Sequence, residues 1–192
     1  GADGQAVLIG DYHGRKRSAT IKSNPQEQNP AKNKASNFWK IGSIRMENLQ
    51  ANLTLIQQRL AVASDGKYPI PKLIAVTKTH PAEDILPLQN LGVTDIGENK
   101  VQEIMEKLPA LEKNFRIHLI GRLQSNKVKY IIDHVCLIHS VDRLSLAQEI
   151  DRQAQKHNRV MPVLIQVSPC GEAQKGGLPP EELIPFLHTV SQ

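Results

Sequence analysis

The sequence predicts an α/β fold in which parallel strands alternate with helices. Short apolar runs rich in β-branched residues recur at intervals of roughly 20 to 27 residues, and a helix-compatible stretch follows each run. This cadence is typical of βαβ units. The first and last runs lack polar alternation, as expected of parallel strands that are covered on both faces. The five predicted strands are Leu73–Thr77, Thr94–Gly97, Arg116–Ile120, Val135–Ser140 and Val163–Val167.

One helix is predicted before the first strand. Apolar side chains from Leu49 to Ala63 recur at three- and four-residue spacing, which lays one stripe along a helix beginning near Met46. The pair Asp65 and Gly66 should end this helix, because both residues favour turns.

Prolines mark the later helices. Pro81 and the pair Pro179-Pro180 are each followed by acidic residues, a pattern that favours helix starts. Pro87 falls where the helix after Pro81 should be continuous, so we expect a kink or a break there. A closed (β/α)8 barrel needs eight units and roughly 200 residues or more, so five units predict an incomplete barrel.

The basic charge of the chain lies in its first 45 residues. They hold eight Lys/Arg against three Asp/Glu, a surplus of 5 that equals the net charge of the whole chain. Residues 23 to 36 are rich in polar residues and cannot bury enough apolar surface to offset the entropy of ordering. We expect residues 1–45 to be a disordered basic tail or a non-native extension, and residues 46–192 to form the folded domain. Nucleic-acid binding through the tail stays an alternative, although a solvated tail is the favoured interpretation.

Composition excludes several other classes. No apolar run approaches the roughly 20 residues that a membrane-spanning helix needs, and no secretory signal is visible, so we expect a cytoplasmic protein. Cys136 and Cys170 lack the spacing of a zinc site or a disulfide framework. The sequence also lacks a G-x-S-x-G elbow, a P-loop, a G-x-G-x-x-G fingerprint and an H-E-x-x-H motif. Their absence excludes most classes of hydrolase, nucleotide-binding protein and zinc protease.

Candidate site residues cluster at predicted strand ends. Lys78 follows the first strand, at the carboxyl end where parallel sheets build active sites. Partial desolvation there would favour the neutral amine, which can attack an aldehyde; a solvated loop lysine is the plainer alternative. Glu98 and Asn99 end the second strand at the same rim, after Gly97. His118 and His139 lie in or at the end of later strands, where a histidine is more often a satisfied core residue.

Five segments together resemble the YggS/PROSC family of pyridoxal 5′-phosphate (PLP)-binding proteins. They match the family in order and spacing, and the run from Gly121 to Lys127 is especially specific. The resemblance covers roughly residues 46 to 192. The segments are Ala75–Pro81, Gly97–Glu103, His118–Lys127, Ile138–Asp142 and Gly171–Gly176.

The resemblance implies a (β/α)8 TIM-barrel type of fold, like the N-terminal domain of alanine racemase, with about five of the eight units present. It implies that Lys78 holds PLP as a Schiff base, with Asn99 and His118 as further cofactor-binding residues and no metal. Family members are thought to buffer or deliver PLP in vitamin B6 homeostasis. The expected partners are therefore PLP and PLP-dependent apoenzymes, and we expect a monomeric carrier rather than a catalyst. A racemase would need a second acid/base group on the opposite face of the cofactor.

The sequence departs from the family pattern in two ways. Lys100, Arg122 and His80 replace a common Tyr, His and Lys, which we treat as tolerated variants. The family's phosphate-binding loops follow the last barrel strands, beyond Gln192, so we expect this chain alone to bind PLP weakly or not at all. The alternatives left open are a barrel fragment without cofactor binding and a racemase-like PLP enzyme.

Overall fold

The computed structural model describes residues 6–9, 33–169 and 176–191, with side chains for 46–169 and 176–191. It divides into two units, residues 1–72 and 73–192. The predicted disorder at residues 1–5 and 10–32, and most of the predicted segment Gly171–Gly176, lie outside the described residues.

The first unit contains one short strand and one long helix. Strand β1 is Ala6–Ile9 and helix α1 is Asn33–Ser64, so the helix begins well before the predicted start at Met46. The chain has no proline between Ala31 and Tyr68, which allows the helix to extend toward the N-terminus. Its end is as predicted, because Asp65 and Gly66 adopt the left-handed conformation, with φ of 49° and 64°.

The second unit is built on five parallel strands that lie in chain order, and all five predicted strands are confirmed. Each strand pairs with the next one along the chain, and Val76 pairs with Gly97 and Gly97 with His118. This is the curled, incomplete (β/α)8 arrangement that the sequence predicts. The strands are β2 (Lys72–Val76), β3 (Asp95–Glu98), β4 (Arg116–Leu119), β5 (Val135–Val141) and β6 (Val163–Ile165).

Helices connect these strands. The predicted break at Pro87 is confirmed, since α2 ends at Ile85 and α3 begins at Pro87, which has no N–H to continue the helical hydrogen bonds. After Gly121 the chain forms a 3-10 turn, Ser125–Lys127, at which Gln124 makes no side-chain cap. The helices are α2 (Ala82–Ile85), α3 (Pro87–Asn90), α4 (Val101–Leu111), α5 (Val128–Ile131), α6 (Leu144–Lys156) and α7 (Leu183–Val190).

Isoleucine and leucine fill the core between strands and helices. Ile96, Leu119 and Ile138 of the strands and Leu111 and Leu146 of the helices are fully buried. Burying each such side chain contributes about 1.5–3 kcal/mol relative to leaving it in water. None of the helices in the described part of the chain has both the length and the apolar character that crossing a membrane requires.

Candidate functional site

Lys78 lies at the carboxyl end of β2, where the sequence predicts it. The Thr77 N–H donates to the Gly97 carbonyl at 3.0 Å, so the parallel pairing with β3 continues one residue past the end of the strand. β2 ends at Val76 and β3 ends at Glu98, so Lys78 and Asn99 each lie just past the end of one of two paired strands. Both residues therefore lie at the same rim of the sheet, where the carboxyl ends of parallel strands meet.

Contacts with helix α4 fix the orientation of the strand ends before the rim. Thr77 and Glu98 turn toward α4, because both hydrogen-bond with the Lys107 side chain on that helix or with each other. Successive side chains of a strand point to opposite faces, so Asp95 and Gly97 of β3 belong to the face opposite Glu98. Glu98 was expected at the rim with Asn99, and that expectation is wrong, because Glu98 lies on the helix side.

Gly121 allows the end of β4 to approach Asn99 closely. A Cβ atom at Gly121 would lie 2.3 Å from the Asn99 carbonyl oxygen and 2.8 Å from its Cα. Glycine is therefore required for steric reasons at this position. The Ser140 hydroxyl donates to the Gly121 carbonyl at 2.6 Å, which fixes the other side of the turn. The backbone of Asn99 is thus positioned by β3, Gly121 and, through Gly121, β5.

A buried ion pair lies directly behind the rim. The Lys107 ammonium donates to Glu98 Oε1 at 2.8 Å and to the Thr77 carbonyl at 3.1 Å. The Glu98 side chain is 1% exposed and that of Lys107 10% exposed. Thr77 Oγ1 also donates to Glu98 Oε1 at 2.6 Å, whereas Glu98 Oε2 is buried without a hydrogen-bond partner among the described residues. A carboxylate this buried depends on its cation.

Glu103 fixes the residue after Lys78. The Thr79 N–H donates to Glu103 Oε2 at 2.8 Å, and the same oxygen lies 3.3 Å from the Lys107 ammonium. The hydrogen bond from Thr79, aided by Lys107 and Lys100, lowers the pKa of the Glu103 carboxyl despite partial burial. The Glu103 carboxylate is therefore charged at neutral pH, the state in which it accepts the hydrogen bond from Thr79.

His118 lies within a three-residue network. It pairs with Gly97, so it belongs to the face of the sheet that carries Asp95 and Gly97, opposite Glu98. His118 is 2% exposed; its Nε2–H donates to Asp95 Oδ1 at 2.8 Å, and its Nδ1 lies 3.0 Å from His139 Nε2. Both ring nitrogens thus have protein partners. The role of His118 in cofactor binding stays a prediction. Its contacts with Asp95 and His139 indicate that it links strands β3, β4 and β5.

The Cys136 thiol extends this network toward the start of the strands. One ligand atom each from Asp95, His118 and Cys136 lie within 4.8 Å of one another, which is close enough for a metal ion. However, Asp95 Oδ2 accepts from Thr94 at 2.7 Å, Oδ1 accepts from His118, and Arg116 lies 3.7 Å away. Burial also raises the pKa of the Cys136 thiol, and metals bind the thiolate. We therefore interpret the cluster as a hydrogen-bonded network.

His139 should make stability depend on pH. Burial and the neighbouring His118 lower the pKa of His139 to about 4, whereas an unfolded histidine has a pKa of about 6.5. As pH falls between these values, the unfolded chain binds the proton first, so the free energy of unfolding decreases with falling pH. His139 is half-buried, and we reduce its expected contribution to about 1–2 kcal/mol for solvent screening.

The His139→Gln variant tests this effect. Denaturant unfolding between pH 7 and pH 4.5 should show a smaller loss of stability in the variant than in the unsubstituted chain, because glutamine does not titrate. His118 and Asp95, which face His139 from β4 and β3, are retained in both proteins and serve as the common background. Equal losses of unfolding free energy in the two proteins between pH 7 and pH 4.5 would show that His139 is solvated and does not cause the pH dependence.

Of the two alternatives for Lys78, a partly desolvated amine and a solvated loop lysine, the described residues favour the second. Lys78 is exposed. An apolar cavity lies instead between α6, β6 and α7, and none of its lining residues belongs to the rim around Lys78. The described residues thus offer an accessible amine and an amide at the same rim rather than an enclosed pocket.

These residues fit one end of PLP. An exposed amine can reach an aldehyde, and the Asn99 carboxamide can donate and accept hydrogen bonds beside it. At the carboxyl end of β6, Gly176 and Gly177 have φ of 72° and 110°, and a Cβ on Gly177 would lie 2.9 Å from the Ser168 nitrogen. The backbone of Val167 and Ser168 fills the space that a side chain at Gly177 would need, so this contact is a packing requirement for glycine.

Sequence reasoning missed the contacts that hold the rim. Lys107 and Asp95 were not singled out, although Glu103 and Lys107 are four residues apart on a predicted helix and could be recognised as a pair. Nothing in the sequence shows that Glu98 turns toward α4, because a strand of four buried residues has no polar alternation to reveal its faces.

The chain is similar in sequence to proteins of known name. The chain is 46% identical over 138 residues to the "Pyridoxal phosphate homeostasis protein" of Aquifex aeolicus, which covers 71% of this chain and 60% of the relative. The chain thus spans about 60% of the length of that curated relative.

Solved structures agree in fold. PipY of Synechococcus elongatus with PLP bound superposes with a TM-score of 0.61 at 37% identity, covering 71% of this chain and 64% of PipY. A protein from Bifidobacterium adolescentis superposes with a TM-score of 0.71 at 29% identity, covering 78% of this chain and 66% of that protein.

The family model for "Alanine racemase, N-terminal domain" matches residues 44–192. That range contains the five parallel strands, Lys78 at the rim and the glycine turn at Gly121. The chain therefore belongs to the alanine racemase N-terminal domain family.

Proposed function

We propose that this chain binds PLP through Lys78 as a Schiff base and acts in PLP homeostasis. The observation that carries the proposal is the position of Lys78 just past the carboxyl end of β2, at the same rim as Asn99, which follows β3. PipY, which is 37% identical and was solved with PLP bound, supports it. The PLP-binding domain in this proposal is residues 46–192, and residues 1–45 take no part in binding.

Schiff-base formation requires one protein group, the neutral amine of a lysine. The neutral amine of Lys78 adds to the aldehyde carbon, both amine protons leave with the carbonyl oxygen as water, and a C=N bond remains. Asn99 would supply a hydrogen bond beside that bond, and the network from His118 to Asp95 links the underlying strands. When bound, PLP would supply an electron sink.

A carrier role requires only that the Schiff base forms and breaks reversibly. A reversible Schiff base on an exposed amine can load and release PLP, which suits buffering or delivery to PLP-dependent apoenzymes better than turnover. We propose a monomer with weak affinity, because the exposed Lys78 is not desolvated by the residues around it. A barrel fragment that binds no cofactor is the rival, and a direct measurement separates the two.

Spectroscopic titration of the 192-residue chain with PLP provides that measurement. The unsubstituted chain should develop the absorbance band of a PLP Schiff base. The Lys78→Arg variant should lose the band, because arginine keeps the charge but cannot form the bond. Lys113→Arg, at an exposed lysine near the end of α4, is the matched control and should titrate like the unsubstituted chain.

Two results would refute the proposal. Equal bands in the Lys78→Arg and Lys113→Arg variants would assign the Schiff base to other lysines. A band no stronger than that of free lysine under the same conditions, in a chain that is shown to be folded, would favour the fragment without cofactor binding.

A further inference from the structure

The turn that carries Lys78 is held on both sides by helix α4. Before Lys78, the Thr77 carbonyl accepts from Lys107 at 3.1 Å; after it, the Thr79 N–H donates to Glu103 at 2.8 Å. Glu103 and Lys107 lie one helical turn apart and contact each other at 3.3 Å. The two backbone groups that flank Lys78 are therefore tied to one rigid element.

Thr79 adopts a backbone conformation that threonine disfavours. Its φ is +66°, in the left-handed region, where a β-branched side chain is a true outlier. Such a conformation persists only where the surroundings impose it. Two hydrogen bonds hold it here: the Thr79 N–H donates to Glu103 at 2.8 Å, and the His80 N–H donates to the Thr77 carbonyl at 3.2 Å and closes the turn.

This strained turn sets the direction in which Lys78 leaves the backbone. If Thr79 relaxed to an ordinary φ, the peptide between Lys78 and Thr79 would rotate, and the exit direction of the Lys78 side chain would change with it. A positioned reaction is sensitive to such shifts, since a misplacement of about 1 Å can cost ~100-fold in rate.

We propose that Glu103 is a positioning residue for Lys78: together with the hydrogen bond that closes the turn it holds Thr79 in the left-handed conformation, and it thereby sets the direction in which the lysine meets the aldehyde. The inference rests on the proposed function. Lys107 completes the arrangement by orienting the Glu103 carboxylate and by fixing the carbonyl on the other side of Lys78.

A purely structural role for Glu103 predicts something different. The Glu103 side chain is near the surface, with 18% of its area exposed, and an i,i+4 ion pair in such a place contributes little to stability. Loss of Glu103 should therefore leave the fold intact, so a change in the reactivity of Lys78 can be observed separately from unfolding.

Three variants of the 192-residue chain make the test. Glu103→Ala removes the acceptor of the Thr79 N–H, whereas Glu103→Gln keeps an oxygen that can accept it. Glu106→Ala, an exposed acid on the same helix, is the matched control for charge and helix propensity. Each protein is mixed with PLP, reduced with borohydride and mapped by mass spectrometry, and the labelling of Lys78 is expressed relative to Lys113. Amide hydrogen exchange at Thr79 and thermal unfolding are measured without PLP.

The expected result is specific. Glu103→Ala should lose protection of the Thr79 amide and reduce the Lys78:Lys113 labelling ratio by about tenfold or more, with little change in unfolding. Glu103→Gln should restore most of the ratio, and Glu106→Ala should leave it unchanged.

Two outcomes would overturn the inference. An unchanged labelling ratio in Glu103→Ala, despite loss of Thr79 protection, refutes the positioning role while the proposed function stands. A ratio near one in the unsubstituted chain, with Thr79 protected, refutes the proposed function itself, and the positioning role with it.

Discussion

The Lys107→Met variant is expected to lose about 3–5 kcal/mol of its free energy of unfolding, because it leaves the Glu98 carboxylate buried without a cation. Glu98 is 1% exposed, and one of its oxygens already lacks a hydrogen-bond partner among the described residues. Methionine fills nearly the same volume as lysine, so the loss reports the missing charge rather than a cavity. Denaturant unfolding at neutral pH measures it.

A double-mutant cycle isolates the pair. Glu98→Leu combined with Lys107→Met replaces both charges with apolar groups. The double variant should recover most of the stability that the single substitution loses, because replacing a buried ion pair with apolar side chains often leaves the free energy of unfolding nearly unchanged. A cost below about 1 kcal/mol for Lys107→Met alone would show that water reaches Glu98.

Gly121→Ala is expected to destabilise the chain by about 1–3 kcal/mol, because the new methyl group collides with backbone. The Cβ position lies 2.3 Å from the Asn99 carbonyl oxygen, and neither atom belongs to a flexible side chain that could move aside. Strands β3 and β4 must separate at the rim, which also displaces Asn99. Chemical denaturation quantifies the first effect.

Gly97→Ala is the matched control. Its Cβ would meet only side-chain atoms, at 3.1 Å from Ile120 and 3.3 Å from Ile74, which can adjust by a few tenths of an ångström. Gly97→Ala should therefore cost clearly less than Gly121→Ala. Equal costs for the two variants would mean that the turn at Gly121 opens freely and does not position Asn99.

The sequence was sufficient for the order of elements because short strand-like runs recur at regular intervals between turn signals. Pro87 and the pair Asp65-Gly66 act through their own backbone restrictions, so their effects could be predicted without tertiary information. The early start of α1 at Asn33 could not, since residues 33–45 have no sustained apolar stripe.

The site was harder to predict than the fold. Lys78 and Asn99 were found because both follow strand ends, which places them at the same rim. The burial of Glu98, the exposure of Lys78 and the strain at Thr79 depend on how α4 lies across the strands. Contacts between residues 20 to 30 positions apart leave no local signature in a single sequence.

The central claim is that Lys78 is the lysine that binds PLP. The most direct measurement is borohydride reduction of the 192-residue chain with substoichiometric PLP, followed by mass mapping of every labelled lysine. The account predicts that most of the label is on Lys78. Label spread over the exposed lysines, with no preference for Lys78, would contradict it.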